Sequence, residues 1–184
     1  MDYYSQHYEE YIESTIHADL SEEYRMVESY LSKGDRVLDV GFGSARDMLY
    51  FSSKGYEVEG IDIEEGFIQH ARNLGLSVSH GDAITYSSKE KYNLVWCNAC
   101  LLHLKREEIK KALLNLYSNL KEGGILFLSF KFSSKEDGYD SMGRYFTYLN
   151  QGDLDNFPLR MDRYWFKEDP TRKDFLWVDI VVKK

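Results

Sequence analysis

The stretch VLDVGFGSARD, residues 37–47, constrains the fold of this 184-residue chain more than any other segment. An apolar run rich in β-branched residues meets two closely spaced glycines, Gly41 and Gly43, and then a segment with a helical pattern. The pattern predicts a strand, a tight turn and a helix N-terminus, where a ligand can approach bare backbone N–H groups. About 20 residues later, a second apolar run ends in the carboxylate of Asp62, as in α/β sheets that bind a nucleoside.

Strand and helix patterns alternate along most of the chain, which is typical of a parallel sheet covered by helices on both faces. Predicted helices cover residues 2–14, 20–32, 45–54, 64–74, 106–120 and a short stretch around 152–157, with Ser21 as an N-cap and Gly123-Gly124 ending the fifth helix. Predicted strands cover residues 36–40, 56–62, 77–80, 92–97, 125–130, 161–166 and 175–182. No helix separates the last two strands, so they are expected to form an antiparallel hairpin at one edge. The predicted fold class is therefore α/β, with a mixed, seven-stranded, doubly wound sheet in a single domain.

Composition narrows the class of partner. Net charge is −8, whereas binding along a nucleic-acid backbone needs clustered Lys and Arg, so no nucleic-acid partner is expected. No apolar run is long enough to span a membrane, and residues 1–5 do not resemble a signal peptide, so a cytoplasmic protein without membrane attachment is expected. The expected partner is a small-molecule substrate. The exposed edge of the predicted hairpin is a possible contact, and either a monomer or a homodimer is expected.

Cys97 and Cys100 form an isolated Cys-x-x-Cys pair. A redox pair of this kind needs a helix start to lower a thiol pKa, but here Cys97 falls in an apolar strand. A zinc site needs four ligands and only His103 lies nearby in the sequence, so no metal site is predicted. We interpret both cysteines as reduced, partly buried thiols, with a metalloid or thiol acceptor that engages them as an alternative.

The residues after the strands are the candidate ligand contacts, because open α/β sheets bind ligands at the carboxyl ends of their strands. Arg46 stands where a dinucleotide-binding turn prefers glycine or alanine, which disfavours a nicotinamide cofactor. Arg46 can pair with a carboxylate of a ligand bound at the glycine turn. Equally, it can be an ordinary surface arginine in the first turn of the helix. Asp39 is a carboxylate within an apolar strand, and its burial requires a partner such as the glycine turn or an ammonium group.

Three further strand ends carry polar groups. Asp62 can hold both hydroxyls of a ribose or cap the next helix, and the neighbouring Ile63 can cover one face of a purine. Asp82 can accept from an exocyclic amine while the N–H of Ala83 donates to the ring nitrogen beside it, or the two residues form a plain turn. His103 follows the fourth strand and can act as a general base near neutral pH or serve a structural role.

These segments together resemble the class I S-adenosylmethionine-dependent methyltransferases, in particular the small methyltransferase-domain group that includes the tellurite-resistance type. The resembling segments are VLDVGFGSARD (37–47), GYEVEGID (55–62), GDA (81–83), YNLVWCNACLLHL (92–104) and LKEGGILFLSFK (120–131). Their order and spacing follow the family pattern across residues 35–131. The resemblance implies S-adenosyl-L-methionine as the cofactor and methyl transfer as the activity.

The resemblance also implies cofactor contacts along the carboxyl edge of the sheet. In the family pattern, Gly41 and Gly43 lie against the methionine moiety of the cofactor, with Asp39 near its ammonium group. Asp62 binds the ribose diol, Ile63 packs on adenine, and Asp82 and Ala83 bind the adenine edge. Asn98 and Leu101 lie near the amino-acid and sulfonium end. Residues 8–11 look like the family's cap. We expect Tyr11, in preference to Tyr4, to close over the cofactor.

By this resemblance, residues 1–184 form one methyltransferase domain with three regions. They are an N-terminal helical cap (1–34), a cofactor-binding core (35–131) and a substrate-side segment with the C-terminal hairpin (132–184). Phe42 and Ala45 depart from the usual turn residues, although alanine is small enough to keep the turn. Residues 143–146 resemble a segment of related small methyltransferases, which makes Arg144 and Tyr145 candidate substrate contacts. The helix that follows is short for the family.

The sequence therefore predicts a methyltransferase that acts on a small-molecule acceptor, with His103 as the candidate catalytic base. Two alternatives stay open. One is a non-catalytic module or regulatory partner that only binds S-adenosylmethionine. The other is a nicotinamide-dependent oxidoreductase, which Arg46 disfavours.

Overall fold

The computed structural model of the protein describes residues 3–169 and 171–184. The helices are α1 (Tyr3–Thr15), α2 (Ser21–Glu28), α3 (Arg46–Ser53), α4 (Glu65–Asn73), α5 (Arg106–Ser118) and α6 (Gln151–Asp155), with a 3₁₀ turn at Leu101–His103. The strands are β1 (Arg36–Val40), β2 (Glu57–Asp62), β3 (Ser77–His80), β4 (Tyr92–Asn98), β5 (Leu120–Phe132), β6 (Gly138–Tyr139), β7 (Tyr145–Phe146), β8 (Met161–Glu168) and β9 (Leu176–Lys183).

Seven strands form one sheet in the order β3-β2-β1-β4-β5-β9-β8. The five strands from β3 to β5 are parallel, and the chain changes direction across the sheet between β1 and β4. β9 and β8 pair antiparallel, because no crossover helix separates them. This is the mixed, doubly wound sheet predicted from the sequence. Its topology brings the carboxyl ends of the five parallel strands to one edge, where ligands of such sheets bind.

Apolar side chains cover both faces of the sheet. On one face the indole of Trp96 in β4 stacks on Phe127 of β5, with ring centroids 4.1 Å apart. Phe51 of α3 packs edge-on against the same indole, at 5.3 Å between centroids. The cluster on the other face includes Leu113 of α5 and Leu128 of β5, both fully buried. This packing gives the residues at the carboxyl edge a rigid base.

Some local predictions at the helix ends were wrong. Ser21 is not an N-cap but the first residue of α2: Leu20 is the N-cap, and the carboxylate of Asp19 accepts from the N–H of Ser21 at 2.9 Å. α2 ends at Glu28, earlier than predicted, and α5 ends at Ser118. Gly123-Gly124 do not end that helix; they lie within β5, where Gly123 has a φ of +79°.

Two further elements differ from the sequence-based expectations. The short hairpin of β6 and β7 was not predicted, since strands of two residues leave no periodic signal. The first predicted helix begins at residue 2, which lies outside the described residues. Its described part, α1, contains a kink at His7.

No helix within the described parts of the chain has the length and apolar character needed to cross a membrane. Over the same residues, no group of three or more His, Cys, Asp and Glu side chains is arranged to hold a metal ion.

Candidate functional site

The glycine turn joins β1 to α3 through residues with left-handed backbone. Gly41, Gly43 and Ala45 have φ values of +66°, +51° and +61°. A Cβ at Gly41 would lie 2.3 Å from the Sγ of Cys100, so no side chain fits there. The N–H of Gly41 donates to the carbonyl of Ile61 at 2.8 Å. The turn is therefore held between β2 and the loop after β4, and Ala45 takes a left-handed position that favours glycine.

Asp62, the last residue of β2, ties the glycine turn to the start of α4. One carboxylate oxygen accepts from the N–H of Gly43 at 3.1 Å, and the other accepts from the N–H of Glu64 at 2.9 Å. Burial raises the pKa of Asp62, and the two backbone N–H donors oppose that rise. The side chain thus serves the helix start and contacts the glycine turn, and its contact with a ribose stays a prediction.

The residues predicted to surround adenine lie on the neighbouring strand ends. Ile63 is 59% exposed, so its side chain is open to a ligand. Asp82 follows β3 and is exposed, with Oδ1 accepting from the N–H of Ile84 at 2.7 Å. Ala83 is buried and its carbonyl accepts from the amide of Asn115 at 3.0 Å. The arrangement is a turn, and it also leaves Asp82 in position to meet a base; its adenine contact stays a prediction.

Asp39 fits a cationic group of the cofactor. Its side chain is 1% exposed, and within the described residues its Oδ2 atom is buried without a hydrogen-bond donor. Burial, and then the charge of Asp47, raise the pKa of Asp39 well above its usual range. A buried carboxylate without a donor is costly unless a ligand completes it, so the ammonium group of an amino acid suits this position.

Arg46 is already bound to a neighbouring carboxylate. Its guanidinium donates to Asp47 at 2.6 and 3.0 Å, and also to the carbonyl of Thr15 at 3.2 Å. Asp47 is buried and accepts from the hydroxyl of Tyr24 at 2.5 Å and the indole of Trp96 at 2.8 Å. The structure therefore gives Arg46 a protein partner, and its contact with a ligand carboxylate stays a prediction.

The loop after β4 contributes Asn98, Leu101 and the two cysteines. Asn98 is half-buried at the carboxyl end of β4, in register with Ser129 of β5. Leu101 is buried in the apolar core, and its position near a sulfonium stays a prediction. Both thiols are free, and a hydrogen bond with Cys97 together with burial raises the pKa of Cys100 well above its usual range. Such a thiol is a poor nucleophile, which disfavours an acceptor that engages it.

Tyrosines of α1 pack over the turn and over α4. A Cβ at Gly43 would lie 3.0 Å from Tyr11 Cε1, and one at Gly66 would lie 2.6 Å from Tyr8 Cγ. The rings of Tyr4 and Tyr11 meet edge to face with centroids 5.2 Å apart. Burial raises the pKa of Tyr11 to about 12. The predicted cap is therefore in contact with the turn, with Tyr11 nearest to it and Tyr4 beyond.

His103 connects the cap to the substrate-side segment. Its Nε2 lies 2.9 Å from the hydroxyl of Tyr4, and its Nδ1 lies 2.9 Å from the carbonyl oxygen of Tyr145. A carbonyl only accepts, so the network assigns the proton to Nδ1 and leaves Nε2 to accept from Tyr4. The imidazole thus presents its basic nitrogen toward the cap.

Arg144 and Tyr145 border the same region through β7 and the turn before it. Arg144 donates to Asp140 at 2.9 and 2.7 Å, and its guanidinium lies 4.9 Å from the ring centroid of Tyr3. Tyr145 contributes its backbone carbonyl to His103, while its ring packs against Tyr139. Both residues lie near His103, and their contact with a substrate stays a prediction.

Lys131 is a residue of this region that the sequence interpretation missed. It lies near the carboxyl end of β5, buried against the rings of Phe146 and Phe175. A signal was present in the sequence, because a lysine that directly continues an apolar strand is placed at the ligand-binding edge. The aromatic residues that enclose it come from distant segments and gave no such signal.

Comparisons with known proteins agree with this geometry. Residues 37–124 match the sequence family described as methyltransferase domain. The probable S-adenosyl-L-methionine-dependent methyltransferase TehB of Haemophilus influenzae is 26% identical over 129 residues, a match that covers 67% of this chain and 42% of that protein. The chain therefore matches less than half the length of this relative.

Two solved structures share the fold. A S-adenosylmethionine-dependent methyltransferase from Methanosarcina mazei superposes with a TM-score of 0.75 at 20% identity, covering 88% of this chain and 97% of that one. The N-methyltransferase NodS from Bradyrhizobium japonicum, solved with S-adenosyl-L-homocysteine, gives 0.74 at 13% identity over 100% and 99% of the two chains. The family match spans the glycine turn and the strand ends around it, and with TehB it shows that the chain is similar to S-adenosylmethionine-dependent methyltransferases, a similarity that indicates S-adenosyl-L-methionine as the cofactor.

Proposed function

We propose that this chain transfers a methyl group from S-adenosyl-L-methionine to a small-molecule acceptor. The observation that carries the proposal is the position of His103, which is hydrogen bonded to Tyr4 of the helix that packs on the glycine turn. The cofactor supplies an electrophilic methyl group on a positively charged sulfur. The side chains of this protein then have to align the acceptor with that methyl group and take up any proton it loses.

The residues around His103 divide these tasks. Nε2 of His103 is the basic atom that can take a proton from the acceptor, and the Tyr145 carbonyl holds the ring in the required tautomer. Tyr4 occupies Nε2 in this structure, so the acceptor has to displace its hydroxyl or lose its proton through it. Arg144 and Tyr145 lie beside this position and are proposed to contact the acceptor.

Two features support a small acceptor. The rings of Tyr4, Tyr8 and Tyr11 cover the glycine turn and α4 from the side of α1, which favours a compact ligand beneath them. The net charge of −8 disfavours binding along a polynucleotide. A single domain over residues 1–184 and a cytoplasmic location remain expectations from the sequence.

Binding and turnover are tested separately. Calorimetry with S-adenosyl-L-methionine and S-adenosyl-L-homocysteine measures cofactor affinity, and a methyl-release assay on a metabolite panel measures transfer. We expect both to be positive. Tight binding of S-adenosyl-L-homocysteine without turnover of any metabolite would favour the non-catalytic module. Competition by NAD, with no effect of S-adenosyl-L-homocysteine, would contradict the cofactor assignment.

Asp62→Ala is expected to weaken S-adenosyl-L-homocysteine binding at least about 100-fold. Two hydrogen bonds from ribose hydroxyls to a charged acceptor are each worth about 1.5–3 kcal/mol, and about 1.4 kcal/mol corresponds to a factor of ten. Asp62→Asn keeps an acceptor oxygen for one of the two backbone N–H groups, of Gly43 or Glu64, so it disturbs the fold less than alanine while it removes the charge. Calorimetry and thermal unfolding of both variants check this. Unchanged affinity in both would remove Asp62 from the cofactor site.

Gly66→Ala is expected to loosen α1 without harming α4, since alanine is a better helix former than glycine. The added Cβ would lie 2.6 Å from Tyr8 Cγ and push the cap away. We expect faster hydrogen exchange in α1 and about tenfold weaker S-adenosyl-L-homocysteine binding. Gly138→Ala is the matched control, because its Cβ would enter open space. Unchanged exchange in α1 would show that the cap does not depend on this contact.

A further inference from the structure

Lys131 is a cation that the proposed reaction does not use. It is the penultimate residue of β5, and only 5% of its surface is exposed. Its Nζ lies 3.6 Å from the ring centroid of Phe146 and 4.9 Å from that of Phe175. Across residues 3–169 and 171–184, no hydrogen-bond acceptor or carboxylate is bound to this ammonium group, although it offers three donors.

The charged residues around Lys131 are already paired with one another. The three ion pairs are Arg144 with Asp140 at 2.7 Å, Arg172 with Asp169 at 3.5 Å, and Lys135 with Asp174. Arg144 and Arg172 also lie over the two rings that enclose Lys131, at 5.3 Å from Phe146 and 5.0 Å from Phe175. The ammonium group of Lys131 is thus the unpaired positive charge in this cluster, because each of the three described carboxylates is already in an ion pair.

Lys131 lies on the acceptor side of the site. β5 runs parallel to β4, so the carboxyl end of β5 is at the same edge of the sheet as Asn98. The ring of Phe146, which lies beneath the Lys131 ammonium group, has its centroid 4.8 Å from that of His103. The glycine turn follows β1, which is two strands away from β5. Lys131 is therefore linked to the proposed base through one ring, whereas two strand steps separate β5 from the strand that leads into the glycine turn.

We propose that Lys131 anchors an anionic group, a carboxylate or a phosphate, that is carried by the methyl acceptor. This inference rests on the proposed function and adds a chemical class to the acceptor. An ammonium group enclosed by aromatic rings binds an anion strongly, because little water competes for its N–H donors. Phe146 contacts both Lys131 and His103, so an acceptor anchored at Lys131 lies within reach of the base.

The titration of Lys131 fits this geometry. Burial, and then the charges of Arg172 and Arg144, lower its pKa from 10.5 to about 8, while Asp140 and Asp174 act in the opposite direction. A bound anion adds a negative charge next to the ammonium group and must raise this pKa. Anion binding is therefore visible in the titration of a single lysine.

The test uses the full chain with S-adenosyl-L-homocysteine, labelled with carbon-13 at lysine Cε. The Lys131 resonance is identified by its absence from Lys131→Met and titrated with pH in chloride, phosphate and acetate at equal ionic strength. We expect phosphate or acetate to bind the protonated form about tenfold more tightly than the neutral form and so to raise the pKa. A larger rise of the Lys131 pKa in phosphate indicates an acceptor that carries a phosphate, and a larger rise in acetate indicates one that carries a carboxylate.

Calorimetry with the same anions provides a second readout. Lys131→Met is expected to bind phosphate and acetate at least about tenfold more weakly than the unmodified chain, with S-adenosyl-L-homocysteine affinity unchanged. Lys173→Met, an exposed lysine paired with Glu168, is the control and should bind them normally. A Lys131 pKa that neither anion moves, or equal anion binding by Lys131→Met, overturns the inference. Failure of the unmodified chain to bind S-adenosyl-L-homocysteine would instead overturn the proposed function, whatever the anions do.

Discussion

Replacing His103 with asparagine is expected to lower kcat for methyl transfer about 100-fold or more, the ordinary effect of losing a general base. The Tyr145 carbonyl holds Nδ1 of the imidazole at 2.9 Å, so Nε2 keeps the lone pair that accepts a proton. Asparagine can still donate to that carbonyl, but it has no basic nitrogen. Methyl release with the accepted substrate at saturating concentration measures the effect.

Tyr4→Phe is the comparison variant for this experiment. It removes only the hydroxyl that lies 2.9 Å from Nε2 and leaves the imidazole in place. We expect kcat to fall less than about tenfold, because one net hydrogen bond is worth about 1 kcal/mol. His103→Asn should also lose the acidic limb of the kcat/KM pH profile, whereas Tyr4→Phe should keep it. Full turnover by His103→Asn would exclude His103 from the chemistry.

Asp47→Ala is expected to lower the free energy of unfolding by about 3–5 kcal/mol, the usual cost of breaking a buried charge pair. The carboxylate accepts from Arg46 at 2.6 Å, from Tyr24 at 2.5 Å and from Trp96 at 2.8 Å. Its removal leaves the guanidinium of Arg46, whose side chain is 17% exposed, without a counter-charge. Urea unfolding, followed by tryptophan fluorescence, measures the loss.

Arg72→Gln serves as the control for this measurement. Arg72 pairs with Glu65 at 3.3 Å on the surface of α4, where the two side chains are 47% and 68% exposed. An exposed pair contributes about 0.5 kcal/mol or less, so its loss should barely move the urea midpoint. If Asp47→Ala costs no more than Arg72→Gln, the carboxylate does not hold α2 and α3 together in the way the contacts indicate.

The parallel half of the sheet could be predicted because its signals are local. β1 and β3 have the predicted bounds, since each is a short segment that is followed directly by a glycine, Gly41 after β1 and Gly81 after β3. Gly123-Gly124 misled the prediction for the opposite reason. A glycine pair after a helical pattern indicates a helix end, but here the pairing of Leu120 with Tyr92 of β4 extends β5 back to Leu120. A non-local pairing of this kind overrides the local propensity.

In the candidate site, too, the features with local signals could be predicted and those that depend on distant residues could not. Asp62, Asp82 and His103 could be placed at one edge from the sequence, because the topology of a parallel sheet fixes where its strands end. The ion pair of Arg46 with Asp47, and the contacts that hold Asp47 in place, could not be predicted from the sequence. Asp47 is adjacent in sequence, but its orientation depends on Tyr24 and Trp96, which lie 23 and 49 residues away along the chain.

By itself the sequence determined the fold class, because glycine turns, apolar runs and terminal carboxylates act over short distances along the chain, and its resemblance to a methyltransferase family indicated the cofactor. Only the tertiary structure decided which basic side chains are left for a ligand. Arg144 and Lys131 look alike in the sequence, yet packing pairs Arg144 with Asp140 and encloses Lys131 between Phe146 and Phe175. Burial and charge pairing depend on side chains from distant segments, and those meet only when the chain folds.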